Sequence, residues 1–543
     1  MNGVKQTERI ENRKRSRNTV AILMGVLGCL IALNACAIER PPNIIFVLTD
    51  DQRFDELGFV NPVLNTPNID RLARDGVHFS NAFVTTSLCS PSRASILTGM
   101  MMHNHGVVDN NKPIRTDLEL FPVRLKKSGY TTAFIGKWHM GGEDFAPRPE
   151  FDHWISFPGQ GNYYPTDMFG RPSLLNVDGE VVPQEGYITD ELTDYALDWL
   201  DQQDKNRPFF LYLSHKAVHA HFQPAERHKN EYKDAEIQIG KVNQEALTDA
   251  PMWVQNQRNS WHGADFPYHD ELPLTEFKRE YHRALSAVDD SIGRLLAWLE
   301  STGQIENTIV VLMGDNGFLF GEHGLIDKRN AYEESMRVPL LAYSPNRFPR
   351  GREVKEMVAN IDIAPTFLSL AGLELPEHYE GMDWAPLARG EKPAEWRDHL
   401  IYEYYWEFNY PQTPTTFAIR TPNYKYIQYH GVWDTDELFD LAEDPHEHHN
   451  LIDDPDLVEV KARMRRQLFD SLRDVRGENA IAFSEKYNQG AVFRHRDRSV
   501  AAEFPDAWLR DADAEDRLEH FLPDGPSKPG LLREMNKAIS RNR

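Results

Sequence analysis

The run Asn43-Ile44-Ile45-Phe46-Val47-Leu48-Thr49 carries no charged residue, and Asp50-Asp51 follows it at once. A continuous apolar, β-branched run of this length marks a strand buried on both faces, with helices covering the sheet on either side. Similar runs recur at Thr131–Ile135, Pro208–Leu213 and Thr308–Met313. Helical patterns lie between them. The clearest spans Thr275–Glu300, where Tyr281, Leu285, Val288, Ile292, Leu295 and Leu299 fall at three- and four-residue steps. Strands alternating with helices predict an α/β fold whose mostly parallel central sheet is sandwiched by helices.

Each of these runs ends in polar chemistry: Asp50-Asp51, then Lys137-Trp138-His139, then His215, then Asp315-Asn316. Ligands of open α/β sheets bind outside the carboxyl ends of the strands, so four such ends predict one shared site. Asp50, Asp51, Asp315 and Asn316 offer hard oxygen ligands, which select Ca²⁺ or Mg²⁺ over zinc. The net charge of −23 argues against a nucleic-acid partner.

Outward from this core the chain changes character. Residues 42–395 read as the catalytic domain, with a polar, His- and Trp-rich stretch at about 223–273 too long for a simple connection and expected to form an insertion or lid. Residues 396–490 read as a smaller α+β domain on an antiparallel sheet, with strands at Leu400–Tyr405, Thr416–Arg420 and Lys425–Tyr429 and a helix at about Leu457–Leu472. Residues 491–543 are charged and punctuated by Pro and Gly, the composition of a tail.

Residues 1–36 read as an export signal. Arg13, Lys14, Arg15 and Arg17 precede the apolar run Val20–Leu33. As a helix that run reaches only about 21 Å, short of a hydrocarbon core of roughly 30 Å. Leu33-Asn34-Ala35-Cys36 resembles a bacterial lipobox, which implies lipidation of Cys36, a lipid anchor and a periplasmic or cell-surface location. Ordinary cleavage nearby and a retained membrane anchor are the alternatives. There are three cysteines, Cys29, Cys36 and Cys89, so no disulfide framework is expected, and only Cys89 lies in the folded part.

In Cys89-Ser90-Pro91-Ser92-Arg93-Ala94-Ser95-Ile96-Leu97-Thr98-Gly99, Pro91 suits the first turn of a helix and Ser90 its N-cap. Cys89 then sits at the positive helix end, with Arg93 on the same face. Such a cysteine is a small core residue or a low-pKa nucleophile.

Cys89-x-Pro91-x-Arg93 with Leu97-Thr98-Gly99 resembles the signature of type I sulfatases, members of the alkaline phosphatase superfamily whose cysteine is oxidised to formylglycine (3-oxoalanine). Asn43–Asp51, Thr66–Asp70, Gly136–His139, Gly314–Gly317, Gly321–Gly324, Lys328, Tyr332–Ser335 and Glu437–Leu451 are similar to further family segments. The resemblance covers residues 42 to 475. It implies an alkaline phosphatase-like fold and one calcium ion held by Asp50, Asp51, Asp315, Asn316 and the formylglycine at position 89. About seven oxygens favour calcium over octahedral magnesium.

The family chemistry then assigns roles. Arg93 and Lys137 join the metal in neutralising the sulfate oxygens. One hydroxyl of the hydrated formylglycine attacks sulfur. His215, with Lys328 nearby, matches the group that protonates the leaving oxygen, and His139 matches the base that strips the second hydroxyl so that sulfate is released. His219, His103 and His105 are candidates for the substrate pocket, while His446, His448 and His449 read as a turn rather than a metal cluster. Formation of the aldehyde implies a formylglycine-generating or anaerobic sulfatase-maturating enzyme as partner. Leu64–Met102, His103–Val107, Tyr402–Phe408 and Arg420–Tyr426 look like the N-acetylglucosamine-6-sulfatase branch and its bacterial polysaccharide relatives. That likeness suggests a sulfated carbohydrate substrate, either a glycosaminoglycan fragment or an algal ulvan or carrageenan. A phosphate or phosphonate monoester hydrolase of the same superfamily is the alternative.

Overall fold

The computed structural model describes residues 40–476 except 168, 241–249, 257–272, 408–409, 411 and 431–433. The expected export signal with Cys36, the tail from 491, and parts of the 223–273 insertion therefore lie outside the described residues.

The strands of the first half are β1 (Asn43–Thr49), β2 (Val77–Phe79), β3 (Ala82–Phe83), β4 (Thr131–Gly136), β5 (His153–Ser156), β6 (Leu174–Val177), β7 (Glu180–Pro183) and β8 (Phe209–Ser214). Then come β9 (Thr308–Gly314), β10 (Leu340–Tyr343), β11 (Arg352–Val354) and β12 (Val358–Ala359). Ten of these form one sheet in the order β11-β2-β10-β9-β1-β8-β4-β5-β6-β7. Its centre, β9-β1-β8-β4-β5, is parallel throughout, while β10, β6 and β7 pair antiparallel toward the edges. The short β12 pairs with β3.

All seven residues of β1 are buried, and they alternate between two cores. Ile44, Phe46 and Leu48 pack on one face, Ile45 and Val47 on the other. This is why the run lacks polar–apolar alternation: both faces are covered. The helices doing the covering follow the chain as α1 (Pro67–Asp75), α2 (Cys89–Thr98), α3 (Phe121–Lys127), α4 (Ile188–Asp201), α5 (Leu274–Ser301) and α6 (Ile363–Leu370). On α5, Tyr281, Leu285, Val288, Ile292, Leu295 and Leu299 are all fully buried against Ile45 and Val47's face, as their spacing predicts. On the opposite face, Phe46, Phe121, Phe210 and Phe367 meet edge to face. At the geometry of such pairs each contributes about 0.5–1.5 kcal/mol beyond its area.

A second sheet, antiparallel, runs β13 (Leu400–Tyr404), β14 (Thr415–Arg420), β15 (Tyr424–His430) and β16 (Glu437–Asp440) in that spatial order. Helix α7 (Val458–Arg476) lays Met464, Leu468 and Leu472 against it. These side chains share a core with Ile44 and Phe46, so the described residues belong to one compact unit. Glu403 N–H donates to Thr85 O at 2.9 Å, and Lys425 Nζ donates to Ala331 O at 2.8 Å, tying the second sheet to loops of the first.

Candidate active site

The carboxyl ends of β1, β4, β8 and β9 converge. Asp50 N–H donates to Ala217 O at 3.0 Å, His215 N–H to Leu48 O at 2.9 Å, and Asp315 N–H to Thr49 O at 2.9 Å, so the ends of β1, β8 and β9 are laced by their backbones. Gly136 closes β4 at φ 122, and a Cβ there would lie 1.8 Å from Ser214 O. Only glycine fits, and it delivers Lys137, whose N–H donates to that same carbonyl at 2.8 Å.

Helix α2 enters from below with all ten residues buried. It starts at Cys89, two residues earlier than the sequence suggests, so Ser90 is not its N-cap. The Ser90 hydroxyl instead donates to His139 O and lies 3.3 Å from His139 Nδ1. Asn110 Oδ1 accepts from Ser90 N at 3.1 Å and so takes up a helix-end donor.

Around the fully buried Cys89 the side chains form a closed polar shell. Lys328 Nζ lies 3.0 Å from Sγ and also bonds Asp51 Oδ1. Asp50 Oδ1 lies 3.5 Å from Sγ, and Lys137 Nζ bonds Asp50 Oδ2. Arg93 Nε donates to Asp315 Oδ2 at 2.9 Å, while its Nη1 donates to Ser214 Oγ at 2.6 Å and Lys137 O at 2.8 Å. Asn316 Nδ2 donates to Asp51 Oδ1 at 2.6 Å. Cys89, Arg93, Lys137, His139, Lys328, Asp50, Asp51, Asp315 and Asn316 are thus brought together.

Burial pushes the Cys89 thiol up to about 12, Asp50 adds to the rise, and Lys137 and Lys328 oppose it. A place at a helix N-terminus therefore does not make this sulfur a thiolate in the bare chain, against the low-pKa reading.

The donor set fits a hard cation. Asp50, Asp51, Cys89 and His219 present ligand atoms within 4.8 Å of one another. Asn316 Oδ1 is buried with no hydrogen-bond partner among the described residues. Burial, opposed by Lys328 and reinforced by Asp50 and Asp315, pushes the Asp51 carboxyl up to about 7. Three crowded carboxylates and an orphaned amide oxygen supply the hard oxygen donors that such a cation takes.

Two expectations are corrected. His215 does not face the site: its Nε2 lies 3.2 Å from Ser291 Oγ on α5, and Ser291 in turn bonds Thr193 Oγ1 on α4 at 2.7 Å. Leu211, Leu213 and His215 point alternately with Ser214, toward the helices rather than toward Arg93. His219 takes the place expected of it. The chain turns back at Val218, whose N–H donates to Asp50 O at 2.7 Å, and carries His219 Nε2 to 3.8 Å from Asp51 Oδ2. Its Nδ1 is 2.6 Å from Ala220 O, so that nitrogen carries the proton and Nε2 is left facing the carboxylates.

His105, expected in the substrate pocket, is fully buried, with Nε2 3.1 Å from Ser95 Oγ and Nδ1 accepting from Val107 N at 3.1 Å. Both nitrogens are occupied within the core, so the ring is placed as a packing group behind α2. His103 Nδ1 lies 2.9 and 2.8 Å from the two oxygens of Glu403, a bond that joins the segment after α2 to β13.

Sequence reasoning also passed over Gln160, Lys216 and Ser214. Gln160 Oε1 accepts from Lys137 Nζ at 2.5 Å. The flanking Gly159 and Gly161, both at positive φ, are the signal that could have found it. Lys216 is buried with its ammonium 4.8 Å from the Tyr163 ring centroid, and burial, with Lys137 next, pushes it down to about 8.

Comparison with known proteins places this geometry. Residues 42–373 match the sulfatase family, and residues 321–474 match the N-sulphoglucosamine sulphohydrolase C-terminal family. The chain is 32% identical over 502 residues to the N-acetylglucosamine-6-O-sulfatase of Bacteroides thetaiotaomicron, covering 81% of this chain and 88% of that one. It is 32% identical over 421 residues to the human N-acetylglucosamine-6-sulfatase, covering 73% of each. A solved structure in complex with its substrate D-glucosamine-2-N,6-O-disulfate superposes with a TM-score of 0.71 at 30% identity, covering 80% of this chain and 98% of that one. The fold, the strand-end site and these matches agree: the chain belongs to the sulfatase family and is a sulfuric ester hydrolase.

Proposed function

We propose that this enzyme removes sulfate from sulfated carbohydrate, with 6-O-sulfated glucosamine units as the first substrates to test. The observation that carries the reading is the cationic shell of Arg93, Lys137 and Lys328 closed around Cys89. It is matched by a carboxylate set that takes a hard cation. The named activities of the bacterial and human relatives support the choice of sugar.

Asp50, Asp51, Asp315 and Asn316 would hold a calcium ion, which supplies a fixed positive charge beside the sulfate oxygens. Oxidised to formylglycine, position 89 supplies a hydrated carbonyl with two hydroxyls, one to attack sulfur and one to drive sulfate release. The remaining work falls to the chain's own side chains. Arg93, oriented by Ser214 and Asp315, and Lys137, oriented by Gln160, hold the anion in a dry pocket where each charge counts for more than in water.

Burial, with Lys137 next, holds the His139 imidazole well below its usual range, so it is neutral and ready to accept a proton. His219 replaces His215 as the proton donor to the leaving oxygen. Burial keeps its ring neutral in the bare chain, with Lys328 opposing its charge and Asp50 favouring it. An arriving anionic ester adds the negative charge that draws a proton onto Nε2. Lys328, bonded to Asp51 and beside position 89, completes the pocket on that side.

The test is sulfate release from a panel of mono- and oligosaccharides sulfated at different positions, with matched aryl sulfate and aryl phosphate as references. Release from 6-O-sulfated glucosamine units above the rest supports the reading. Turnover of the aryl phosphate above every sulfate ester would overturn it. The export reading rests on the sequence alone: lipid attachment at Cys36 predicts that radiolabelled palmitate is incorporated by the full chain and not by its Cys36→Ala variant.

A further inference from the structure

Away from Cys89, on the far side of the loop that carries Lys328, a second set of ligating atoms converges. His323, Glu334 and Glu447 present one nitrogen and two carboxylate oxygens within 4.8 Å of one another. His323 Nε2 and Glu334 Oε2 face each other at 3.9 Å, and each is buried without a hydrogen-bond partner among the described residues. The His323 side chain is 10% exposed and that of Glu334 only 4%. Two bonds of about 2.0–2.1 Å at a tetrahedral ion set their ligand atoms roughly 3.3–3.4 Å apart, so this gap has to close by only about half an ångström.

The neighbourhood holds these atoms in place. The His323 ring stacks on Tyr332 with centroids 3.8 Å apart and planes 9° from parallel. Glu447 Oε2 accepts from Glu333 N at 2.7 Å, and its Oε1 lies 2.7 Å from Lys425 Nζ. The charge does not balance, however. Lys425 is shared with Glu333, whose carboxylate it meets at 2.9 Å, and Arg420 is committed to that same carboxylate at 3.2 Å. Among the described residues Glu334 has no lysine or arginine as an ion-pair partner, only two imidazoles: His323 at its Oε2 and His446, whose Nδ1 lies 3.7 Å from its Oε1. A buried carboxylate left this way is costly unless something positive joins it.

We propose that His323, Glu334 and Glu447 bind a divalent transition-metal ion of the zinc type, with the exposed His446 closing on it as a fourth ligand. One or two imidazole nitrogens with two carboxylates are a zinc-type donor set, distinct from the all-oxygen set at Asp50, Asp51, Asp315 and Asn316. The ion would clip the loop after β9, which carries Lys328, to the loop after β16, which carries Glu447. It would thereby fix the catalytic face to the second sheet.

The test uses the full-length enzyme, stripped with chelator, reloaded with excess calcium and then incubated with zinc chloride alone. Metal content after desalting is the readout. The proposal expects one zinc per chain, a zinc-dependent rise in melting temperature, and a loss of zinc affinity of about tenfold or more in His323→Gln and Glu447→Gln. A Cys89→Ser control should keep its zinc, which separates this site from adventitious binding at the catalytic cluster. No zinc retained above the calcium-only sample, or equal retention in wild type and His323→Gln, overturns the proposal. Should Glu447→Gln fail to fold because Lys425 and the Glu333 amide lose their partner, His323→Gln decides alone, since it leaves that network whole. Sulfate release by the calcium-loaded enzyme is measured separately, so neither result depends on the other.

Discussion

Replacing His219 by alanine should slow the enzyme far more than replacing His215, although both histidines follow the same strand. His219 Nε2 lies 3.8 Å from Asp51 Oδ2, inside the pocket, whereas His215 Nε2 lies 3.2 Å from Ser291 Oγ among the helices. A general acid contributes about 10²–10⁴-fold, which corresponds to about 3–5 kcal/mol of barrier. The loss should scale with how badly the leaving oxygen needs a proton. For a sugar alcohol the whole effect is expected, while for a nitrophenyl sulfate, whose phenolate leaves unaided, roughly a tenfold loss or less should remain. His215→Ala should instead lower stability by about 1–3 kcal/mol, the cost of an unmade buried hydrogen bond and a cavity. The penalty is limited because Ser291 keeps its 2.7 Å bond to Thr193. The assay pairs kcat on a series of sulfate esters of graded leaving-group acidity with the melting temperature of each variant. An equal loss in the two variants at unchanged stability, or a His219→Ala loss independent of the leaving group, would refute the assignment.

Other outcomes follow from the same structure. Glu56, fully buried and 2.8 Å from Lys278 Nζ and 2.9 Å from His282 Nε2, is the anchor of the β1–α5 contact, and Glu56→Gln should cost about 3–5 kcal/mol in chemical denaturation. Burial alone would raise that carboxyl, but Lys278 and His282 hold it well below the usual range. Its stabilisation is therefore present above the ordinary carboxylate pKa of about 4.3 and is lost as pH falls through the depressed value. In Glu56→Gln the stability-versus-pH curve should flatten on its acid limb, and an unchanged limb would contradict the pairing. Gly136→Ala should abolish turnover and destabilise the fold, because its Cβ would meet Ser214 O at 1.8 Å; a fully active Gly136→Ala enzyme would show that Lys137 is positioned some other way. The chain carries a net charge of −23, so an anionic substrate is attracted only by the local cations, and KM for a sulfate ester should rise as salt increases. A KM indifferent to ionic strength would remove the support for that local field.

Much of the architecture is legible from burial alone. Strands covered on both faces must be apolar throughout, so β1, β4, β8 and β9 announce themselves, and the charged residues that end them mark the site. The spacing of Tyr281 to Leu299 places α5 against the sheet because a 28-residue helix exposes its other face to water. The second sheet shows through the polar–apolar alternation of Thr415–Arg420 and Tyr424–His430 in the sequence, although the burial of both their faces in a core shared with the first sheet does not.

What escaped is the choice of face at strand ends. Ser214 and His215 are adjacent, and the pleat sends one toward Arg93 and the other toward Ser291. A sequence records the order of these residues but not which face meets which helix, so the nearer histidine of the pair is the natural but mistaken choice. Gln160 and the His323–Glu334–Glu447 cluster escaped for a related reason, being assembled from segments far apart in the chain.

The proposed chemistry requires Cys89 to become an aldehyde and to work beside a calcium ion. Mass spectrometry of the peptide containing position 89, on the same active preparation whose calcium content is determined, tests it most directly. The expected residue is lighter than cysteine by one sulfur and two hydrogens and heavier by one oxygen. Activity should track that fraction and be restored to a chelated sample by calcium. An active preparation with the Cys89 sulfur intact, turning over fully after all metal is removed, would contradict it.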